Sequence, residues 1–224
     1  MRNSLFILIF SFSISVVHCL PVKAGDTIQT YNVVGIGYDI IKPILMLTQN
    51  ENDIKQYEMM LSFNTGKKIN YSVDFGYADA YFIRKNYDLN LKGYYFKAGY
   101  DKQILSEGDD SFSYGLRLSG SRLKNNYINP IITDAVFGDI PVNIENMDLN
   151  AFWVEGLLKL DIRLIGNFSL GWTARLKVPV FIQKDDFFEP YYVPGFGKTL
   201  NGVMVGFNYY IIYKFPLKGK SRYN

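Results

Sequence analysis

The stretch AFWVEGLLKLDIRL, residues 151–164, alternates between two kinds of side chain. Its even positions carry no charge and are Phe152, Val154, Gly156, Leu158, Leu160, Ile162 and Leu164. Its odd positions hold Trp153 and Leu157 together with the charged residues Glu155, Lys159, Asp161 and Arg163. Successive side chains of a β-strand point to opposite faces. The stretch therefore predicts a strand with one uncharged face and one charged face.

Seven further segments show the same alternation, and turn residues separate them. They are residues 31–41, 56–64, 70–78, about 93–104, 112–123, 168–178 and 202–215. Each is about ten residues long, which matches the ~9–11 residues of a tilted membrane-crossing strand. A typical soluble strand has only ~5–6 residues. The pattern alone also fits a soluble β-sandwich, but the strand length favours a membrane barrel.

The connections between these segments alternate in length. The short ones are 65–69, 105–111 and 165–167, and the long ones are 42–55, 79–92, 124–148 and 179–201. Outer-membrane barrels combine short periplasmic turns with longer outer loops. The sequence therefore predicts an all-β fold, an eight-stranded antiparallel up-and-down transmembrane β-barrel with both termini on the periplasmic side.

The N-terminus has the features of a secretory signal peptide. One positive charge precedes an apolar run, LFILIFSFSISVV, and Val22 and Ala24 place small residues before a cleavage site. We predict a signal peptide over 1–24 and an outer-membrane barrel over 25–224. An uncleaved anchor helix is disfavoured because the run is shorter than the ~20 residues of a span. Lipidation at Cys19 is disfavoured because His18, which is not small, precedes it.

Composition excludes several kinds of chemistry. Cys19 and His18 are the only cysteine and histidine, so the mature chain has no thiol nucleophile, imidazole base or Cys/His metal site. The net charge of +3 without a Lys/Arg run excludes nucleic acid as a partner. Gly197-Lys198-Thr199 resembles the end of a P-loop, but Tyr192 stands where that motif needs glycine. We therefore expect no cofactor, no metal and no enzymatic activity.

The charged faces of the strands predict a network inside the barrel. Eight strands enclose an interior that side chains can fill, and buried charges must be paired there. The predicted network contains Glu58, Asp74, Asp101, Arg117, Glu155, Lys159, Asp161, Arg163, Arg175 and Lys177. As an alternative, inward carboxylates such as Glu155 and Asp161 could act as an acid–base pair.

The two longest outer loops, 125–148 and 181–198, form the predicted binding surface, because loops on a rigid scaffold carry most binding sites. Their apolar and aromatic candidates are Ile131, Ile132, Phe137, Phe187, Phe188, Tyr191 and Tyr192. Two interpretations stay open. Either the loops dock another membrane protein, a polysaccharide or lipopolysaccharide, or they pack on each other and cap the barrel.

The chain resembles a known family in three stretches, which are YGLRLSGSRL, AFWVEGLLKLDIRLIGNFSLGWTARL and YYVPGFGKTLNGVMVGFNYYIIYKFPL. From about Gly35 to Leu217 the chain resembles uncharacterised outer-membrane β-barrel proteins of Bacteroidota. The resemblance implies a barrel in the outer membrane of a Gram-negative bacterium, and it implies no reaction.

The expected function is that of a small, closed, non-enzymatic outer-membrane barrel with a structural or interaction role. One form of this role is an accessory subunit of a larger outer-membrane assembly. The expected partners are outer-membrane lipid and another outer-membrane protein. The alternatives are a lipid- or glycan-modifying barrel enzyme that works without histidine, and a narrow channel.

Overall fold

The computed structural model describes residues 32–46, 53–65, 68–83, 88–107, 110–128, 131–134, 138–141, 147–184, 190–199 and 202–217. Eight antiparallel strands close into a barrel, which confirms the predicted fold. They are β1 (Val33–Asp39), β2 (Asp53–Asn64), β3 (Ile69–Ile83), β4 (Asp88–Glu107), β5 (Asp110–Ile128), β8 (Met147–Ile165), β9 (Phe168–Ile182) and β12 (Met204–Pro216). Each of these eight strands pairs with the one that follows it among the eight, so that β5 pairs with β8 and β9 with β12. β12 also pairs with β1, which closes the ring.

Three small elements lie at the end of the barrel where the predicted long connections meet. They are the helix α1 (Ile41–Met46), the hairpin of β6 (Ile131–Asp134) and β7 (Gly138–Pro141), and the hairpin of β10 (Tyr192–Val193) and β11 (Gly197–Lys198). Within the described ranges, no helix is long and apolar enough to cross a membrane. We call this end of the barrel the loop end and the opposite end, which holds both chain termini of the barrel, the turn end.

One predicted long connection is wrong. β3 continues to Ile83 and β4 begins at Asp88, so residues 84–87 replace the expected loop over 79–92. The alternation continues through this region, but the apolar residues change face. Tyr77 and the apolar residues before it point outward, whereas Ala78, Ala80 and Phe82 are buried inside. A prediction that requires the apolar side chains of a strand to stay on one face therefore ends the strand too early.

The change of face occurs at paired positions on several neighbouring strands. A row of cross-strand partners on the outer surface consists only of charged residues, and we call it the charged row. Its members are Lys55, Asp79, Lys92, Lys124 and Asp148, on β2, β3, β4, β5 and β8. Beyond this level, inward positions such as Leu91 are apolar and buried. Towards the turn end, outward positions such as Phe96 and Leu118 are apolar and exposed.

The apolar outer band has the height of a membrane's hydrocarbon core. On β4 the outward residues between Lys92 and Lys102 are Tyr94, Phe96, Ala98 and Tyr100. Ten residues span roughly 33 Å along a strand, or about 25 Å of height at a tilt of ~40°. Aromatic side chains mark both edges of the band. The rows are Tyr57–Tyr77–Tyr94 near the charged row and Phe63–Tyr71–Tyr100 near the turn end.

The interior has an apolar part and a polar part. At the loop end the buried apolar residues form one cluster from the barrel wall and the β10–β11 hairpin: Ala78, Ala80, Phe82, Leu89, Leu91, Tyr95, Leu123, Leu149, Ala151, Trp153, Tyr192, Val193 and Phe196. The middle and the turn end of the interior are mostly polar and charged. The barrel therefore contains a packed apolar core on both sides of the charged row, and an ionic core nearer the turn end.

Candidate functional site

The ionic core centres on seven side chains from six strands and α1, which we call the central cluster. They are Asp39, Lys42, Glu58, Asp74, Lys97, Glu155 and Arg175. Except for Lys42, whose side chain is 18% exposed, all of them are at most 2% exposed. The alternation places Asp39, Glu58, Asp74, Lys97, Glu155 and Arg175 on the inward face of their strands, and α1 directs Lys42 to the same point.

Glu58 on β2 is the hub of this cluster. Its Oε2 lies 3.0 Å from the Nζ atoms of both Lys42 and Lys97, and it accepts a hydrogen bond of 2.7 Å from the Tyr95 hydroxyl. Its Oε1 accepts hydrogen bonds from the Tyr210 hydroxyl and from Asn208. A buried carboxylate is stable only when it is paired and hydrogen-bonded. Glu58 meets both conditions, because α1, β4 and β12 supply its ion-pair and hydrogen-bond partners.

Arg175 on β9 connects two further carboxylates of the cluster, those of Asp74 and Glu155. Its Nη2 lies 2.9 Å from Asp74 Oδ2, and its Nη1 lies 2.8 Å from Glu155 Oε2. Trp153 donates its indole N–H to the other oxygen of Glu155 at 2.7 Å. Asp74 on β3 and Arg175 on β9 thus connect opposite parts of the barrel wall across the interior, where charge-assisted hydrogen bonds are strong.

The other predicted network residues lie outside the central cluster. Arg117 pairs with Asp101 at 2.6 Å and donates a hydrogen bond to Ser72. Asp161 pairs with Lys214 at 2.8 Å near the turn end. Lys159 is buried at 5% exposure on β8.

Lys177 and Arg163 depart from the predicted network. Lys177 is buried, and its Nζ donates to the carbonyl oxygens of Gly195 and Phe196 at 2.6 and 3.1 Å. The prediction that Arg163 belongs to the network is wrong, because its side chain is exposed and its Nε donates to the carbonyl oxygen of Gly166. A register shift between Arg163 and Ile165 breaks the alternation there, next to the turn.

The predicted binding surface on loop 181–198 is also partly wrong. Tyr192 is 6% exposed, donates to Gln56 Oε1 at 3.1 Å and contacts Phe82 inside the barrel wall. Burial, followed by the charge of Glu58, raises the pKa of the Tyr192 phenol, so it stays a neutral donor. Tyr191 is half-buried against Phe82. For these tyrosines, the interpretation in which a loop caps the barrel matches the contacts.

The remaining loop candidates have no described side chains. Phe137, Phe187 and Phe188 lie outside the described residues, and Ile131 and Ile132 are described only as backbone of β6. Residues that the predicted network omitted include Asp39, Lys97, Asn208 and Tyr210. Each lies on the inward face of its strand, so strand parity could have identified them. Lys42 follows β1 in a helix, where strand parity gives no signal.

The central cluster holds elements together. Its cations lie within 4 Å of its carboxylates, and six of its seven side chains are at most 2% exposed. Within the described ranges, no group of His, Cys, Asp and Glu side chains could hold a metal ion. These ion pairs connect β1, β2, β3, β4, β8, β9 and α1.

Comparison with known proteins gives a family but no activity. No curated protein matches the chain. Among solved structures, the chain is similar to the crystal structure of Neisserial surface protein A (NspA), with 9% sequence identity and a TM-score of 0.48 over 86% of this chain and 100% of the Neisserial one. A family model described as "Domain of unknown function (DUF6048)" matches residues 2–220, and the chain belongs to that family.

Proposed function

We propose that this protein is a small closed barrel of the outer membrane of a Gram-negative bacterium, of the Bacteroidota type, with a structural or interaction role and without enzymatic activity. The exchange of apolar and polar faces at the charged row is the observation that supports this proposal most directly. A soluble barrel keeps its polar residues outside along the whole strand, because water surrounds every level. Here the outer surface is apolar over about 25 Å and ends at a row of charged residues, as expected at a membrane boundary.

The filled interior supports a structural or interaction role over transport. Charged and polar side chains from facing strands meet across the polar part, and the β10–β11 hairpin packs into the apolar part. An eight-stranded barrel leaves little room beyond its own side chains. The narrow channel therefore stays the weaker alternative. A lipid- or glycan-modifying enzyme would need a nucleophile at the rim, and no contact among the described residues favours one.

The loop end is the proposed interaction surface. The wall of β3, β4 and β5 extends four residues past the charged row, and loops 125–148 and 181–198 leave the barrel at this end. In this proposal the β10–β11 hairpin, which contains Tyr192, packs inside the barrel wall. The partner binds the loop residues that do not pack inside the barrel. An accessory subunit of an outer-membrane assembly, bound to another outer-membrane protein, is the specific form we favour.

Fractionation of native cells tests the membrane assignment, and cross-linking tests the role. We expect the mature chain in the outer-membrane fraction, with a faster gel mobility before heating than after it, because a closed barrel resists detergent. Mild-detergent purification after cross-linking should recover a second outer-membrane protein. Recovery of the folded chain from the detergent-free periplasmic extract would contradict the membrane assignment, and recovery of the barrel alone would contradict the accessory role.

A further inference from the structure

The outer surface of the barrel carries a basic patch directly above the apolar band, on β4 and β5. Lys92 and Lys124 are cross-strand partners in the charged row. Arg122 lies one outward position below Lys124 and opposite Tyr94. The side chains of Lys92, Arg122 and Lys124 are 53%, 74% and 72% exposed. We call these three residues the basic patch.

The neighbouring carboxylates neutralise only part of this patch. Lys92 pairs with Asp79 on β3 at 3.2 Å, and Arg122 and Lys124 share Asp148 on β8 at 3.2 and 3.9 Å. Three cations therefore face two carboxylates. Like charges directly opposite each other destabilise a strand pair. The ammonium groups of Lys92 and Lys124 bond to carboxylates on opposite sides, and the surface between them stays positive.

The position of the patch relative to the apolar band restricts its ligand. Tyr94, which is 71% exposed, lies beside Arg122, and outward residues below the patch include Phe96, Leu118 and Phe152. Tyrosine is favoured at the boundary between hydrocarbon and head groups. A molecule that contacts both levels needs anionic groups attached to acyl chains. Basic residues at this depth attract the phosphates of lipid head groups.

We infer that the basic patch binds the phosphate groups of a phosphorylated glycolipid of the lipid A type in the outer leaflet, with the acyl chains on the apolar surface below it. This inference rests on the proposed function, because it requires the loop end to face the outer leaflet. The phosphate lies between Lys92 and Lys124 and contacts Arg122, and the chains follow Phe96 and Leu118. The interaction offsets the repulsion between the two lysines.

Titration of the purified full-length mature barrel, followed by native mass spectrometry, tests this inference. The probes are diphosphoryl lipid A, the same lipid A without phosphates, and phosphatidylglycerol. We expect the tightest binding for diphosphoryl lipid A. The variant Lys92→Gln/Lys124→Gln should lose about thirtyfold in affinity for it, since each basic residue near an anionic lipid surface contributes roughly a fivefold factor.

A matched variant at the turn end separates a specific site from general attraction. Lys68 and Lys102 are exposed there, so Lys68→Asn/Lys102→Gln removes the same charge (asparagine tolerates the positive φ of 60° at position 68). This control should bind diphosphoryl lipid A as the wild type does. Equal affinity for the three lipids, or an equal loss in both variants, would overturn the inference. The proposed membrane location fails separately, by the fractionation described above.

Discussion

At the scale of single residues, Glu58 tests how the ionic core contributes to stability. Glu58→Gln keeps the volume of the side chain but removes the charge that faces Lys42 and Lys97. Both lysines would then be held near an uncharged amide inside the barrel. Breaking a buried pair in this way costs about 3–5 kcal/mol. We expect the free energy of unfolding in phosphatidylcholine vesicles, measured by guanidinium titration, to fall by that amount.

Asp148→Asn is the matched control for this residue. Asp148 also pairs with two cations, Arg122 and Lys124, but its side chain is 42% exposed. Exposed ion pairs contribute about 0–1 kcal/mol, because water screens them. The control should therefore unfold nearly as the wild type does. Equal losses of unfolding free energy in the two variants would mean that burial does not set the strength of these pairs.

At the scale of elements, the β10–β11 hairpin should detach before the barrel opens. Its two strands pair with each other and not with the barrel sheet. Its attachment depends on buried rings such as Phe196, which is 2% exposed and packs edge-to-face on Trp153. Phe196→Ala removes this contact and leaves a cavity that costs roughly 3–5 kcal/mol.

Hydrogen exchange measures this detachment locally. In Phe196→Ala we expect faster exchange of the amides over 192–198, while the amides paired between β4 and β5 keep their protection. Lys198→Ala in the same hairpin removes an exposed side chain that lies over the Tyr191 ring, and it should change exchange only slightly. Faster exchange throughout β4 and β5 in Phe196→Ala would show instead that the hairpin and the wall unfold together.

The same elements show what the sequence could and could not predict. Strand parity identified the eight wall strands and the inward positions of Glu58, Asp74 and Arg175, because the outward side of each strand is mostly apolar. It missed the outer parts of β3 and β4, where the apolar residues, such as Ala80 and Leu91, lie on the inward face. It also missed the inward folding of Tyr192, which depends on contacts with Gln56 and Phe82, far away in the chain.

At the scale of the whole molecule, the proposal depends on which solvent surrounds the apolar band. Leu118 lies within the band, points outward and is 70% exposed. Leu105 is similarly exposed at 66%, but it lies near the turn end of β4. An outward arginine costs about 2–4 kcal/mol at the middle of a bilayer and about 0–1 kcal/mol near its interface. The same two substitutions would cost little in water, because an exposed arginine is well hydrated there.

Leu118→Arg and Leu105→Arg therefore form a depth-matched pair for the complete barrel. We expect Leu118→Arg to lower the free energy of unfolding in phosphatidylcholine vesicles by about 2–4 kcal/mol, and Leu105→Arg by at most about 1 kcal/mol. Reversible guanidinium unfolding followed by tryptophan fluorescence gives both values. If both variants were as stable as the wild type in vesicles, the band would not lie in hydrocarbon. The exchange of faces at the charged row would then need an explanation other than a membrane boundary.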